Sequence, residues 1–445
     1  MNMTIAIILF AVTYVLMIAF GKYRPWIALA SGAVFVACMF IGSAGFPAIT
    51  VSDAVGVLDL NVLLMIAGTM GLVQMFIDSQ MPNRLADIVM RYVPNVCWAA
   101  VALSLFAGII SAFVDNVATV LMVAPVALAI CKKLHTNPVP FIISIAVSSN
   151  LQGAATLVGD TTAIMLGSAL DMSFVDFFWY QGKPSIFFAV ELGAALSAMI
   201  VWWLFRKEKS PIEKNQPLTP VTDYVPTVLL VGTIGLLAAA SFAPDSWNLP
   251  AEINGLIACA MLVVGLIYNV IRYRKKDALV GPIKAIDFET LGLLIGLFMM
   301  IGGIKHYGVI DQLAGLLAQL GGGNLFLLYT VIVWASVLIS AFIDNIPYVA
   351  TMIPVIGGLA AQMAGGDADK ATLMAIPLYF GLLSGATLGG NCTPIGASAN
   401  IAGIGILRKN GYEVKNSDFF RIGIPFTLAA IVPAYIYIWL LYGVR

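Results

Sequence analysis

Charge is scarce in this chain. Its 445 residues hold 23 Lys and Arg against 23 Asp and Glu, 10% of the total, while 60% are hydrophobic. Soluble domains run nearer half apolar and about a quarter charged, so an ordinary water-soluble enzyme is excluded. A net charge of zero offers no basic face for phosphate, which excludes nucleic acid as a partner. Five cysteines (Cys38, Cys97, Cys131, Cys259 and Cys392) lie far apart without a CxxC pair, which indicates neither a disulfide framework nor a zinc site. The only histidines, His135 and His306, are expected in loops and cannot build a histidine-rich metal centre. No basic stretch precedes the first apolar run and no small-residue cleavage site follows it, so a cleavable signal is not expected. Glycine (41) and proline (21) are plentiful, but they sit inside apolar runs, as in membrane helices and unlike disordered segments. These features define an all-α polytopic membrane protein.

Crossing about 30 Å of hydrocarbon at 1.5 Å per residue takes roughly 20 apolar residues. Runs of this kind cover 3–20, 27–41, 60–77, a long pair at 98–130, 138–170 and 185–205. A polar linker, 206–223, follows. The pattern then restarts at 226–243, 254–268, 288–304, a second long pair at 324–363, 371–407 and 423–442.

The two halves, 1–205 and 224–445, repeat. Ser111-Ala112-Phe113-Val114-Asp115-Asn116 returns as Ser340-Ala341-Phe342-Ile343-Asp344-Asn345. Asp59 and its apolar run match Asp287 and the next; Thr156-Leu157-Val158-Gly159 matches Thr393-Pro394-Ile395-Gly396; Asp176-Phe177-Phe178 matches Asp418-Phe419-Phe420. If each long pair is a re-entrant hairpin with its tip at 115–116 or 344–345, each half makes five crossings and the halves are inverted. One side of the membrane then holds 19 basic residues, Lys22, Arg24, Lys209, Lys214, Lys275 and Lys276 among them, and the other holds Lys183, Lys305, Lys370 and Arg445. The positive-inside rule makes the first side cytoplasmic and places both termini outside the cell or inner membrane.

Acidic groups at membrane depth are few: Asp115, Asp344, Asp160 and Glu191. Each costs about 2.5–3.5 kcal/mol on insertion scales, and a functional role is the default expectation. Capping of the second hairpin helix would use Asp-Asn well, but neutral Ser or Asn would cap at lower cost. With no basic partner expected in any span, a bound cation or proton is the expected compensation. The segments 148–163 and 386–401 are too rich in Gly and Thr for unbroken helices, and Pro394 removes a backbone donor. Small-residue helix packing would account for such composition. Discontinuous helices whose freed backbone groups meet ions at the midplane account for it better, because unwound backbone needs a buried or cavity-lining place in a membrane.

The motifs SAFVDN and SAFIDNIP, ATLVGD, GGNCTPIGASAN and DFETLGLLIGLFMMIGG resemble those of the ion transporter superfamily. The similarity is to the branch of the melanosomal P protein, arsenite permeases and sodium–proton antiporters, and more distantly to divalent anion:sodium symporters. It covers nearly the whole chain. It implies a homodimer with a scaffold and a transport domain that moves like an elevator, no cofactor, and sodium ions or protons as coupling ions. The implied ion and substrate residues are Asp115, Asn116, Asn150, Thr156, Gly159, Asp160, Thr161, Thr162, Asp344, Asn345, Asn391, Thr393, Gly396, Ser398 and Asn400, with Asp115, Asn116, Asp344 and Asn345 as sodium candidates. The dicarboxylate symporters carry Ser-Asn-Thr at each tip, where this chain has Asp115-Asn116-Val117 and Asp344-Asn345-Ile346; Thr161-Thr162-Ala163 stands where Pro-Pro-Asn is usual. Together these point to ion-coupled secondary transport of a small inorganic ion or oxyanion, by sodium/proton exchange or arsenite-like efflux. Sodium-coupled carboxylate uptake, a passive anion channel and an intramembrane aspartyl protease are the alternatives. Against the protease, the GxGD context such enzymes need is missing.

Overall fold

Each apolar run becomes helix, and each capping or turn residue between runs marks a boundary. The protein's structure, a computed structural model, describes residues 1–42, 45–212, 217–274 and 277–443. The first half gives α1 (Met3–Ala19), α2 (Arg24–Ile41), α3 (Val51–Gly56), α4 (Leu60–Asp78), α5 (Met81–Tyr92), α6 (Val96–Ser111), α7 (Asn116–Lys133), α8 (Val139–Gly153), α9 (Thr161–Ala169) and α10 (Ile186–Phe205). The second gives α11 (Val225–Ala240), α12 (Ile253–Tyr273), α13 (Asp277–Lys284), α14 (Phe288–His306), α15 (Val309–Gly321), α16 (Leu325–Ser340), α17 (Asn345–Met363), α18 (Ala368–Gly389), α19 (Ser398–Lys409) and α20 (Asn416–Ile438). A two-stranded antiparallel ribbon, β1 (Trp179–Tyr180) and β2 (Lys183–Pro184), precedes α10. Among the described residues, nine helical segments are long and apolar enough to cross a membrane.

Among the described residues, ten α-helices precede the linker and ten follow it, in matching order. Asp59 accepts the Val62 amide at 3.0 Å to start α4, and Asp287 accepts the Thr290 amide at 3.0 Å to start α14. Asn95 and Asn324 cap α6 and α16 through Trp98 and Leu327, each at 3.1 Å. Such caps satisfy amides that a helix end leaves open. Pro125 and Pro354 interrupt α7 and α17 at equivalent points.

Small residues let the helices of the two halves approach closely. Helix α2 packs on α14, and α12 packs on α4. A Cβ on Gly296 would lie 2.3 Å from the Ala28 carbonyl carbon, and one on Gly68 would lie 2.5 Å from that of Ala258. Backbone contact of this kind is how helices associate where no water drives them together. Elsewhere α6 packs on α8, α16 on α18, and α10 on α20.

Four short helices, α3, α5, α13 and α15, were not expected from hydropathy. Helix α5 has 12 residues, about 18 Å of rise, and carries Arg84, Asp87 and Arg91; it is too short and too polar to register as a span. The axes of α15 and α16 differ by 115°. His306, expected in a loop, is the last residue of α14. The segment after α10 is tied down. Val96 and Cys97 donate backbone amides to the carbonyls of Ser210 and Glu208 at 3.1 and 3.0 Å, and Thr219 donates its amide and hydroxyl to Asp87 at 2.7 and 2.6 Å. Lys214, Lys275, Lys276 and Arg445, counted in the basic asymmetry, lie outside the described residues.

Candidate functional site

Both hairpins turn within four residues, at 112–115 and 341–344, and each Asp faces back onto its helix. Asp115 accepts the amides of Val117 and Ala118 at 3.0 and 3.1 Å; Asp344 accepts that of Ile346 at 3.1 Å. The tips are held by the two broken segments. Helix α8 stops at Gly153 and α9 restarts at Thr161; α18 stops at Gly389 and α19 restarts at Ser398. The Thr156 hydroxyl donates to the Ala112 carbonyl and, in the other half, the Thr393 hydroxyl donates to the Ala341 carbonyl. Gly159 and Gly396 let the chain pass behind each tip. A Cβ on Gly159 would lie 2.6 Å from the Gly153 carbonyl oxygen and 2.8 Å from that of Ser111. One on Gly396 would lie 2.6 Å from the Gly390 carbonyl oxygen and 2.9 Å from that of Ala341.

Between the breaks lies a buried amide network. Asn116 donates to Asn150 at 3.0 Å, and Asn150 donates to Asn391 and Asn400 at 2.8 and 3.1 Å. Asn391 continues to the Val147 carbonyl at 2.9 Å, while Asn400 donates to the carbonyls of Gly390 and Thr393, both at 3.0 Å. All four asparagines of this network are buried and paired, as an amide in a dry core requires. Asp160 is buried too, accepting from Thr162 at 3.0 Å and Asn345 at 3.4 Å.

A cavity of about 370 Å³ opens beside this network. The first residues of four helices line it: Asn116 of α7, Thr161 of α9, Asn345 of α17 and Ser398 of α19. Asp115, Asp160 and Asp287 supply three carboxylates to its wall, and no Lys or Arg does so among the described residues. The first residues of four helices thus share this wall with three carboxylates, and the positive ends of the helix dipoles beside negative side chains make a wall suited to binding both signs of charge. A second cavity of about 390 Å³ lies at repeat-related positions. Phe298, Ile301, Gly302 and Lys305 of α14 stand there where Met70, Val73, Gln74 and Ile77 of α4 stand in the first, and Asp59 replaces Asp287. Neither hairpin tip lines this second cavity.

Of the residues expected from sequence, Asp115, Asn116, Asp160, Thr161, Asn345 and Ser398 meet at the cavity. Asn150, Thr162, Asn391 and Asn400 support it from behind, and Thr156, Gly159, Thr393 and Gly396 position the tips. Glu191 sits on α10 and does not line the cavity. Asp287 and Thr290 were missed as wall residues, although the Asp59–Asp287 repeat match had marked the position. One expectation is overturned. Asp344 does have a basic partner: Arg24 Nη1 lies 3.4 Å from its carboxylate, and Ser398 donates to the same oxygen at 3.5 Å. Arg24 opens α2, and its long side chain carries the charge away from its own backbone level. Among the described residues no group of three or more His, Cys, Asp or Glu forms a metal site.

Comparison with known proteins places this architecture among transporters. A family described as citrate transporter (CitMHS) matches residues 14–378. An uncharacterised transporter of Mycobacterium bovis is 31% identical over 454 residues, covering 99% of both chains. The human P protein is 28% identical over 496 residues, covering 95% of this chain and 58% of its own. Among solved structures, the YdaH transporter of Alcanivorax borkumensis aligns with a TM-score of 0.59 at 14% identity, over 88% of this chain and 87% of its own. MtrF of Neisseria gonorrhoeae, from a class of antimetabolite efflux pumps, aligns at 0.57 and 13% identity, over 94% of this chain and 95% of its own. These two share the fold.

Proposed function

From the premise that this chain belongs to the citrate transporter family, and is therefore a membrane transporter, we propose that it is a cation-coupled secondary carrier. The observation that carries this reading is the cavity wall. Asp115, Asp160 and Asp287 bring three negative charges, with no basic side chain among the described lining residues. Four helix N-termini at about half a charge each return roughly two positive charges. The balance is about one negative charge, which suits one sodium ion or proton at Asp115 and Asp160. Because four helix N-termini also line the cavity, an oxyanion can follow once a cation has entered. Exchange of sodium for protons and oxyanion efflux both fit this balance. Carboxylate uptake is favoured by the family's description but requires further cations to enter with a citrate-like anion.

Proteoliposomes test the coupling. Protons and sodium should compete for the same carboxylates, so apparent sodium affinity should weaken as pH falls between about pH 9 and about pH 6. Protonation removes the charge that holds the metal ion, which sets that sign. A sodium affinity flat across the range would overturn the shared site. Citrate or succinate flux that rises with sodium would select the uptake reading over exchange.

If the halves are inverted as the positive-inside rule has it, α4 ends and α14 begins on the cytoplasmic side, and this cavity is inward-open. The second, repeat-related cavity is then its counterpart on the outer face. Single cysteines replacing Lys209 and Lys370 should label from opposite sides, Lys209 from the cytoplasm. Labelling of both from one face would sink the inverted topology.

A further inference from the structure

The two hairpin tips carry the same Asp-Asn pair but differ in what faces the carboxylate. Asp115 has no basic partner among the described residues and lines the open cavity. Asp344 does not line it, and Arg24 Nη1 stands 3.4 Å from its carboxylate. The side chains of this pair are 31% and 16% exposed, a setting drier than open water where a lone carboxylate would call for a counter-ion. Arg24 is also fixed from behind, donating Nε to the Met17 carbonyl at 3.2 Å.

The register of helix packing identifies the position equivalent to Arg24 in the other half. Gly296 lies over Ala28 as Gly68 lies over Ala258, and Gly292 lies near Pro25 as Gly255 lies over Leu64. Ala28 therefore corresponds to Ala258, and Arg24 to Asn254. Asn254 is neutral and shorter, and it lines a different cavity, which neither hairpin tip reaches. One repeat carries a guanidinium where the other carries an amide.

We propose that Arg24 is a tethered cation that permanently occupies the second of two repeat-related cation sites. Asp344 and Ser398 form that site; Asp115 and Asp160 form the first, which stays free for the coupling ion. The duplicated fold would otherwise offer two exchangeable cation sites per cycle, and the guanidinium reduces them to one. This rests on the cation-coupled reading above and adds to it the number of ions carried. Because Arg24 belongs to α2 and Asp344 to the second hairpin, the same pair sets how closely that hairpin sits against the α2–α14 pair.

Removal of the guanidinium should open the second site to small cations. In the purified full-length protein, Arg24→Ala should lose most of its transport and regain about tenfold on addition of guanidinium ion below denaturing concentrations, a gain of roughly 1.4 kcal/mol in apparent binding. The same ion should raise the unfolding temperature of Arg24→Ala, leave wild type unmoved, and do nothing for the double variant Arg24→Ala with Asp344→Asn. Sodium dependence of Arg24→Gln should be steeper than that of wild type, since two ions then bind. Rescue in the double variant, or Arg24→Gln with the wild-type slope and no guanidinium response in Arg24→Ala, would overturn the tethered-cation assignment. Should Arg24→Ala fail to fold, the slope of Arg24→Gln alone decides. Wild-type protein insensitive to both sodium and pH would remove the coupling reading instead, while leaving the guanidinium response to stand or fall by itself.

Discussion

Asp115→Asn should leave a folded, membrane-inserted protein that no longer couples transport to a cation. The amide oxygen can still accept the Val117 and Ala118 amides that Asp115 accepts at 3.0 and 3.1 Å, so the cap on α7 survives. What is lost is the charge facing the cavity. Hydrogen bonds and contacts to a charged group are worth about 1.5–3 kcal/mol, so apparent cation affinity should fall by roughly 10- to 100-fold. Sodium- and proton-driven flux measured in proteoliposomes, beside an unchanged unfolding profile, would register this. Asp344→Asn should behave differently despite the repeat. It strands the guanidinium of Arg24 and should cost about 1–3 kcal/mol of stability, with a smaller change in affinity at the first site. Equal loss of coupling in both variants, with equal stability, would mean that the two tips do the same job.

The second large effect is expected from Gly159→Ala and Gly396→Ala. Neither glycine needs an unusual backbone angle; the constraint is distance. The added methyl would meet the carbonyl oxygens of Gly153 and Ser111 at 2.6 and 2.8 Å, or those of Gly390 and Ala341 at 2.6 and 2.9 Å. Those atoms are backbone and cannot rotate aside, so the hairpin tip must move away from its broken helix. Overpacking of this kind costs typically about 1–3 kcal/mol, and the displaced tip should break the hydrogen bond from Thr156 to Ala112 or from Thr393 to Ala341. Transport should fall at least tenfold in either variant, since about 1 Å of misplacement at a site is enough for larger losses. A lowered unfolding temperature together with lost flux is the expected signature. Wild-type flux in both would show that the close approach behind the tips has no role in forming the site.

Much of the architecture was legible from periodicity and repetition. A helix in a membrane must satisfy its own backbone groups, so apolar length translates directly into spans, and unwound stretches rich in Gly and Thr stand out. In the structure the breaks lie at 154–160 and 390–397, and the turns lie just before Asn116 and Asn345. Helices α5 and α15 escaped a reading of this kind because short helices with a polar face look like loops when only hydropathy is summed. The amide network was half visible. Asn150, Asn391 and Asn400 were candidates by motif, but their mutual hydrogen bonds join residues 241 and 250 positions apart, and no local pattern encodes such pairing.

By itself, the sequence determined the membrane class and carried the repeated Asp-Asn motifs and the Gly- and Thr-rich segments, because each depends on composition or on short motifs that can be read wherever they recur. Only the tertiary structure decided how the duplicated parts differ. It brought Arg24 to Asp344 across 320 positions, placed Asp287 on the cavity wall beside Asp115, and left the first tip without a basic neighbour among the described residues. The physical reason is that a charge acts through distance in space. A guanidinium counted as a loop residue at one end of the chain becomes a counter-ion once α2 is laid against α14, and nothing in the local sequence of either half records that meeting.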